Sequence, residues 1–328
     1  MGGQRHPDGV ETVPVTPEQL TAFDRAREML AQSVAPILVR EDSGTDRMFL
    51  AAFDGTGNSM KKDAPANHTN VALIYQQVLH RNRDGVGHIR AGYVEGVGTQ
   101  GGLSGLRDLA SGRTYQARLE DMYLQFIVQA KNWMDANPQA DIRVCAIGFS
   151  RGAEQAVGFT RMVEGRGIQD PDGARVSRDR DGMIQRIEFT APPLLEPGSV
   201  VQAIGLFDPV GTGVPRQHDR RPPPSVVSGL QLTALHERRN LFQGTQVADP
   251  GITMDGRFTN LALPGAHSDV GGGYLQHGLS VRSGNLMIDY LNALSDRPFL
   301  AKRPEPDDPA LNVIHRSEQH QVFYRTSR

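Results

Sequence analysis

Short apolar runs alternate along the chain with amphipathic stretches of helical period. Residues 48–53 (MFLAAF) are apolar throughout and stop abruptly at DGTGNS, the pattern of a buried strand feeding a loop. Residues 88–96 (HIRAGYVEG), 142–149 (IRVCAIGF), 200–207 (VVQAIGLF) and 257–265 (RFTNLALPG) read as further strands. Helices are predicted between and around them. Thr16-Pro17-Glu18 gives an N-cap followed by proline at the first helical position, with apolar spacing to about Ser33 and an expected place on the outside of the domain. A second helix is expected over about 69–80, a long amphipathic one over 114–137, and a C-terminal one around Asn285–Leu294. Strands separated by helices predict an α/β fold with a mostly parallel sheet and helices on both faces, whose sites lie at the carboxyl ends of the strands.

The same pattern divides the chain. Residues 1–46 form an N-terminal segment carrying the first helix, 47–298 a catalytic-size α/β domain, and 299–328 a tail. The charged stretch 164–198 and the Pro-rich stretch 209–227 read as insertions or loops, because consecutive prolines cannot donate to a sheet ladder. With 328 residues, 38% of them hydrophobic, a sizeable core is expected. The 37 acidic and 35 basic residues nearly cancel, and no basic stripe with interleaved aromatics occurs, so nucleic acid is excluded as a partner. A single cysteine, Cys145, excludes an internal disulfide framework and reads as a buried thiol. The polar N-terminus lacks an apolar h-region, no run approaches a membrane span, and His6 stands where a myristoylation site needs Ser or Thr. The expectation is a chain made in the cytoplasm without a cleaved signal peptide.

Gly148-Phe149-Ser150-Arg151-Gly152 matches G-x-S-x-G, a weak pattern by itself in a chain with 36 glycines. Its setting strengthens it. An apolar strand runs into Ser150 and GAEQAVGF continues as a helix, the arrangement of a nucleophile elbow in an α/β-hydrolase. That fold requires the order Ser, acid, His. Asp208 ends the apolar run AIGLF and would stand on the catalytic edge; His267 follows the last strand in the Gly-rich GAHSDVGGGY. His218, among charges, and His236, on an apparent helical face in LTALHERRN, read as surface histidines. The expected chemistry is acyl-ester hydrolysis, with Ser150 as nucleophile, His267 as base and Asp208 as its orienting acid. Oxyanion donors are expected from the backbone of Arg151 and from Gly55 and Thr56 in the loop DGTGN, which lacks the Lys-Ser/Thr of a phosphate-binding P-loop. Asp54, Asn58 and Asp269 are expected to brace the site through hydrogen bonds rather than bind a cation, with no metal or other cofactor.

In order along the chain, AFDGTGNS, TNVALIY, YVEGVGT, IGFSRGA, LFDPVGT and PGAHSDVGGGY, from about Phe49 to Tyr274, resemble the catalytic domain of the first class of type VI secretion phospholipase effectors. The resemblance implies the same triad of Ser150, Asp208 and His267. It also implies hydrolysis of membrane phospholipid in a rival bacterium, peripheral membrane contact, a cognate immunity protein, and delivery by a secretion apparatus to the target-cell periplasm. The loop GGLSGLRDLASG (101–112) is the candidate for lipid contact. No apolar flap follows Tyr274, and that favours a second reading, a soluble-ester or polyester hydrolase. A third is a catalytically idle binding or adaptor domain on the same fold, against which a complete triad argues.

Overall fold

The computed structural model describes residues 6–96, 113–210, 221–236 and 251–317. The candidate lipid loop 101–112, His218 and most of the Pro-rich stretch 209–227 lie outside the described residues. In chain order the elements are β1 (Thr12–Pro14), α1 (Pro17–Gln32), β2 (Asp46–Phe53), α2 (Asn70–Arg83), β3 (Ile89–Val94), α3 (Arg113–Ala136), β4 (Asp141–Phe149) and α4 (Arg151–Arg166). They continue with β5 (Arg175–Arg178), β6 (Ile184–Glu188), β7 (Gln202–Phe207), β8 (Val226–Ala234), β9 (Gly251–Ile252) and β10 (Phe258–Leu263). Last come α5 (His267–Gly271), α6 (Gly278–Ala293) and β11 (Val313–His315).

A seven-stranded sheet runs in the order β3-β2-β4-β7-β8-β10-β9. Every neighbouring pair is parallel except β9 with β10. From β2 the chain goes outward to β3, then crosses over through α3 to β4 on the other side and continues that way. The strand order reverses between β2 and β4, and in open α/β sheets ligands bind beyond the carboxyl ends of the strands at such a reversal. The register aligns those ends, with Phe53 opposite Gly148, Phe149 opposite Phe207 and Phe207 opposite Leu232. The first residues past the strands, Asp54, Ser150 and Asp208, therefore lie along one edge. This is an α/β-hydrolase fold.

Both faces of the sheet are covered, which is why β2, β4 and β7 are largely apolar runs without alternation. On one face α1, α2 and α6 bury Phe23, Leu30, Val71, Ile74, Leu286 and Leu291. On the other α3 and α4 bury Tyr123, Phe126, Ala153, Phe159 and Val163. The start of α1 is closed by a reciprocal capping box: the Gln19 N–H donates to Thr16 Oγ1 at 3.2 Å and the Thr16 N–H to Gln19 Oε1 at 2.9 Å. Burial in β4 pushes the Cys145 thiol up to about 12. Among the described residues no helix is long and apolar enough to cross a membrane.

The structure departs from the sequence reading in four places. LTALHERRN is not helical where it is described: Leu232–Ala234 end β8 and Leu235–His236 form a turn. Polar residues obscure this strand, because Ser228 bonds Tyr290 at 2.9 Å and Thr233 donates to Asn260 at 3.0 Å inside the fold. The charged insertion holds a hairpin, β5 with β6, whose turn is tied by the Met183 N–H donating to Asp179 Oδ1 at 2.9 Å. Helix α6 begins at Gly278, earlier than its apolar spacing suggests, because its first turns bury polar side chains bonded inside the fold, Arg282 to Asn312 at 2.7 Å and Ser283 to the Val270 carbonyl at 2.6 Å. Finally, β1 and β11 pair antiparallel, joining the two ends of the described chain.

Candidate active site

Between β4 and α4 the backbone makes a turn that only a constrained sequence allows. Ser150 has φ 61° and ψ −127°, and with Asp208, φ 39°, it is one of two described non-glycine residues at positive φ. Such a conformation costs about 1–3 kcal/mol and persists where the surroundings enforce it. Here the Ser150 N–H donates to the Phe207 carbonyl at 3.0 Å, and the Val210 N–H donates to the Ser150 carbonyl at 3.1 Å, fastening the turn to the end of β7. The flanking glycines are steric necessities. A Cβ on Gly148 would stand 2.3 Å from the Gly152 carbonyl oxygen, and one on Gly152 would stand 2.4 Å from the carbonyl oxygens of both Phe53 and Asp54. These obstacles are backbone and cannot swing away. Gly152→Ala is therefore expected to lower the unfolding free energy by about 3 kcal/mol or more, read from the urea midpoint at unchanged m. A loss below about 1 kcal/mol would mean that the strand-turn-helix packing is looser than this.

Asp208 and His267 come together across 59 residues of sequence, with His267 Nδ1 2.6 Å from Asp208 Oδ2. Both are buried. The other carboxylate oxygen, Oδ1, accepts the Ala234 N–H at 2.9 Å, so the end of β8 sets the orientation of the acid. Phe149 is a neighbour that sequence reasoning overlooked. Its ring lies 4.6 Å from the His267 ring, and a Cβ on Gly55 or Gly271 would approach it to 2.4 and 2.0 Å respectively. One glycine from DGTGN and one from DVGGG thus make the slot that this ring fills.

The loop after β2 is held by Asp54. Its Oδ1 accepts the Gly55 N–H at 2.8 Å and the Thr69 hydroxyl at 2.7 Å, and its Oδ2 accepts the Tyr93 hydroxyl. Burial pushes the Asp54 carboxyl up, and these three donors oppose that rise. Tyr93 is raised as well, by burial and by the facing carboxylate. The Gly55 N–H is thereby committed to Asp54, which corrects its expected role as an oxyanion donor. The reason is local: a side chain at the strand end reaches the next amide before any ligand can. Thr56 instead accepts at its hydroxyl from Arg151 Nε at 2.7 Å, linking this loop to the elbow. Asn58 closes the loop, its N–H donating to the Gly55 carbonyl at 2.9 Å and its carbonyl accepting the Gly96 N–H at 3.0 Å.

The turn carrying His267 is held from three sides. Asp269 Oδ2 accepts the Ala266 N–H at 2.9 Å and the His315 N–H at 3.0 Å. Asn70 Nδ2 donates to the Val270 carbonyl at 3.0 Å. His236, read from sequence as a surface residue, accepts the Gly265 N–H at its Nδ1 at 3.0 Å. Thr69, Asn70, Tyr93 and His315 are not singled out by sequence reasoning, although Thr69 and Asn70 open the block TNVALIY and Tyr93 opens YVEGVGT.

The family profile described as "T6SS, Phospholipase effector Tle1-like, catalytic domain" matches residues 47–185 and 185–299. Among solved structures the chain is similar to an uncharacterized protein from Pseudomonas aeruginosa, at 18% identity and a TM-score of 0.48, covering 93% of this chain and 53% of that one. It is also similar to the Tle1 effector bound to the VgrG spike from the type 6 secretion system, at 20% identity and a TM-score of 0.42, covering 70% and 51%. Thermogutta terrifontis esterase 2 is similar at 13% identity and a TM-score of 0.35, covering 79% and 87%. The chain thus spans about half the length of the first two of these proteins. No match was found among curated proteins. By the family match over most of its length, the chain belongs to the Tle1-like phospholipase effector catalytic domain family of type VI secretion.

Proposed function

We propose that the chain hydrolyses the acyl esters of membrane phospholipids through Ser150, His267 and Asp208, as a phospholipase A-type effector. The observation that carries this reading is the buried 2.6 Å contact of Asp208 with His267 on the same strand-end edge as the positive-φ Ser150. With Nδ1 tied to the carboxylate, Nε2 is the ring nitrogen that takes the Ser150 proton as Oγ attacks the ester carbonyl. The tetrahedral intermediate collapses to an acyl-enzyme, and the imidazolium returns its proton to the departing alcohol. Water, deprotonated by the same ring, then attacks the acyl carbonyl and releases the fatty acid and free serine.

The negative oxygen in both steps needs backbone donors already in place. The Arg151 N–H opens α4, outside the helical hydrogen-bond ladder, and belongs to the end of the helix that favours negative charge. Thr56 supplies the second donor in this reading, since the Gly55 N–H is taken. Family membership supports phospholipid as substrate and type VI secretion as the route of delivery; action in the target-cell periplasm and a cognate immunity protein in the producer complete the proposal.

Incubating the pure protein with mixed phospholipid vesicles and identifying products by mass spectrometry tests the substrate. Lysophospholipid and free fatty acid are expected, and neither with Ser150→Ala. An enzyme inert toward vesicles yet fast on short esters would replace this reading with that of a soluble-ester hydrolase. In cells, directing the chain to the periplasm of a susceptible bacterium is expected to be toxic in a Ser150-dependent way, with milder effects from the cytoplasm. Equal toxicity of the Ser150→Ala protein would contradict it.

A further inference from the structure

Behind the turn that carries His267 lies a second histidine between two carboxylates. His315, on β11, has Nδ1 2.5 Å from Asp269 Oδ1 and Nε2 2.9 Å from Asp8 Oδ2. The ring is fully buried, and both carboxylates are nearly so. Asp8 is fixed in turn, its oxygens accepting the Leu275 N–H at 2.6 Å and the Gln276 N–H at 3.0 Å. The Tyr274 ring stacks on the imidazole at 3.7 Å between centroids and 17° between planes. The cluster therefore gathers the segment before β1, the strand β11, and the loop that follows α5.

Only an imidazolium satisfies this arrangement. It carries two N–H donors, one for each carboxylate, whereas a neutral ring has one and would turn a lone pair toward the other oxygen. The groups facing the ring are the Asp269 carboxylate from α5, the Asp8 carboxylate from the N-terminal segment, and the Tyr274 phenol. Along the strands, Thr12 is its register partner, and the Arg316 N–H donates to the Glu11 carbonyl at 2.8 Å beside it. Burial of the ring favours its neutral form, and the bonds to Asp269 and Asp8 outweigh that, holding His315 up at about 9. Asp8 is lowered: its own burial works against this, and the bonds from His315, Gln276 and Leu275 prevail.

Asp269 joins this cluster to the reaction. The same carboxylate that meets His315 accepts the Ala266 N–H, directly before His267. Gly265, at φ +121°, has no room for a Cβ, which would stand 2.7 Å from the Asp269 Cβ, so the turn and the carboxylate are closely packed. We propose that His315 is a positioning residue for His267: clamped as an imidazolium between Asp269 and Asp8, it holds Asp269 against the Ala266 N–H and so fixes the turn that aims the catalytic ring. This rests on His267 being the base of the reaction. It adds to that reading a requirement that the two ends of the described chain, Asp8 and His315, be assembled on the domain before the site is in order.

A histidine raised above its ordinary 6.5 contributes stability that is complete below about 6.5 and lost as pH rises through about 9. The clamp therefore predicts an alkaline fall in turnover. The test is the pH profile of kcat and KM on p-nitrophenyl butyrate for the full chain, with Ser150→Ala as the blank. In the wild type, kcat is expected to fall through about pH 9. His315→Gln keeps a side-chain donor but no charge. Its kcat should drop about tenfold near neutral pH with KM within about twofold, and the alkaline fall should disappear. Asp8→Asn leaves the imidazolium one carboxylate, so the fall should move down by about one pH unit. Wild-type kcat and an unchanged alkaline fall in His315→Gln would overturn the proposal. If that variant does not fold, an unmoved fall in Asp8→Asn overturns it instead. Activity surviving in Ser150→Ala would sink the triad itself, which is a separate outcome.

Discussion

Ser150→Ala is expected to lower kcat for ester hydrolysis by about 10⁶-fold while the protein folds normally, the size of loss that follows when a serine hydrolase loses its nucleophile. The fold should persist because the backbone bonds that hold the turn, Ser150 N–H to Phe207 and Val210 N–H to Ser150, do not involve the side chain. Alanine at φ 61° keeps the strain that serine bears. Ser150→Gly would relieve it and is expected to be more stable than Ser150→Ala by about 1 kcal/mol, although equally inactive. His267→Ala should match the loss of Ser150→Ala, and the double variant should be little worse than either, because neither group acts without the other. Additive losses would point to a different base. The readouts are steady-state kinetics on a short ester and urea unfolding of the same samples.

Asp208→Asn is expected to fold and to lose about 10⁴-fold in kcat. The structure gives this substitution a definite outcome. Oδ1 of Asp208 accepts the Ala234 N–H at the end of β8, so the asparagine must keep its carbonyl oxygen there and turn its amide NH₂ toward His267. That group donates to Nδ1 and forces the ring proton onto Nε2, the nitrogen that must accept from serine. The imidazole would be well placed in the wrong tautomer. Asp208→Ala removes the forced donor as well as the acceptor, and so is expected to be no worse than Asp208→Asn despite leaving the Ala234 amide unpaired. A loss under about 10²-fold for Asp208→Asn would show that another group orients the ring.

Much of this architecture is legible in the sequence because its causes are local. An apolar run ending in a glycine-flanked serine and resuming as a helix can be recognised within one short window, and so can Asp208 at the end of a strand without a polar residue in its last five positions. The elements around β8 are less legible, since its Ser228 and Thr233 are satisfied by Tyr290 and Asn260 on other elements, its buried Gln231 donates to Thr233 on the same strand, and all three look like surface residues in isolation. Gly55 illustrates a different limit. Its glycine freedom suggests an amide open to a ligand, whereas the preceding carboxylate already occupies that amide. Of the cluster of Asp8, Asp269 and His315, only Asp269 is legible, as a bracing residue in the block that carries His267. Asp8 and His315 are separated by 307 positions, and neither lies in a motif. Only the pairing of β1 with β11 brings them to the same place.

Three carboxylates show how the fold positions chemistry with backbone amides. Asp54, Asp208 and Asp269 each follow or flank a strand end or turn, and each accepts a main-chain N–H: that of Gly55 in the loop after β2, of Ala234 at the end of β8, and of Ala266 directly before His267. Removing any of the three carboxylates leaves a buried amide without its acceptor, at about 1–3 kcal/mol. Activity in such variants should therefore be compared at temperatures where each remains folded.

The most direct measurement is the reaction of the folded protein with a fluorophosphonate, followed by intact mass and peptide mapping. This reagent captures a serine only when its hydroxyl is activated and an oxyanion site is ready beside it. A single adduct on the peptide containing Ser150 is expected, absent in Ser150→Ala and formed far more slowly in His267→Ala and Asp208→Asn. An ester-hydrolysing protein that takes no adduct, or takes it on another residue, would contradict the assignment of Ser150, His267 and Asp208.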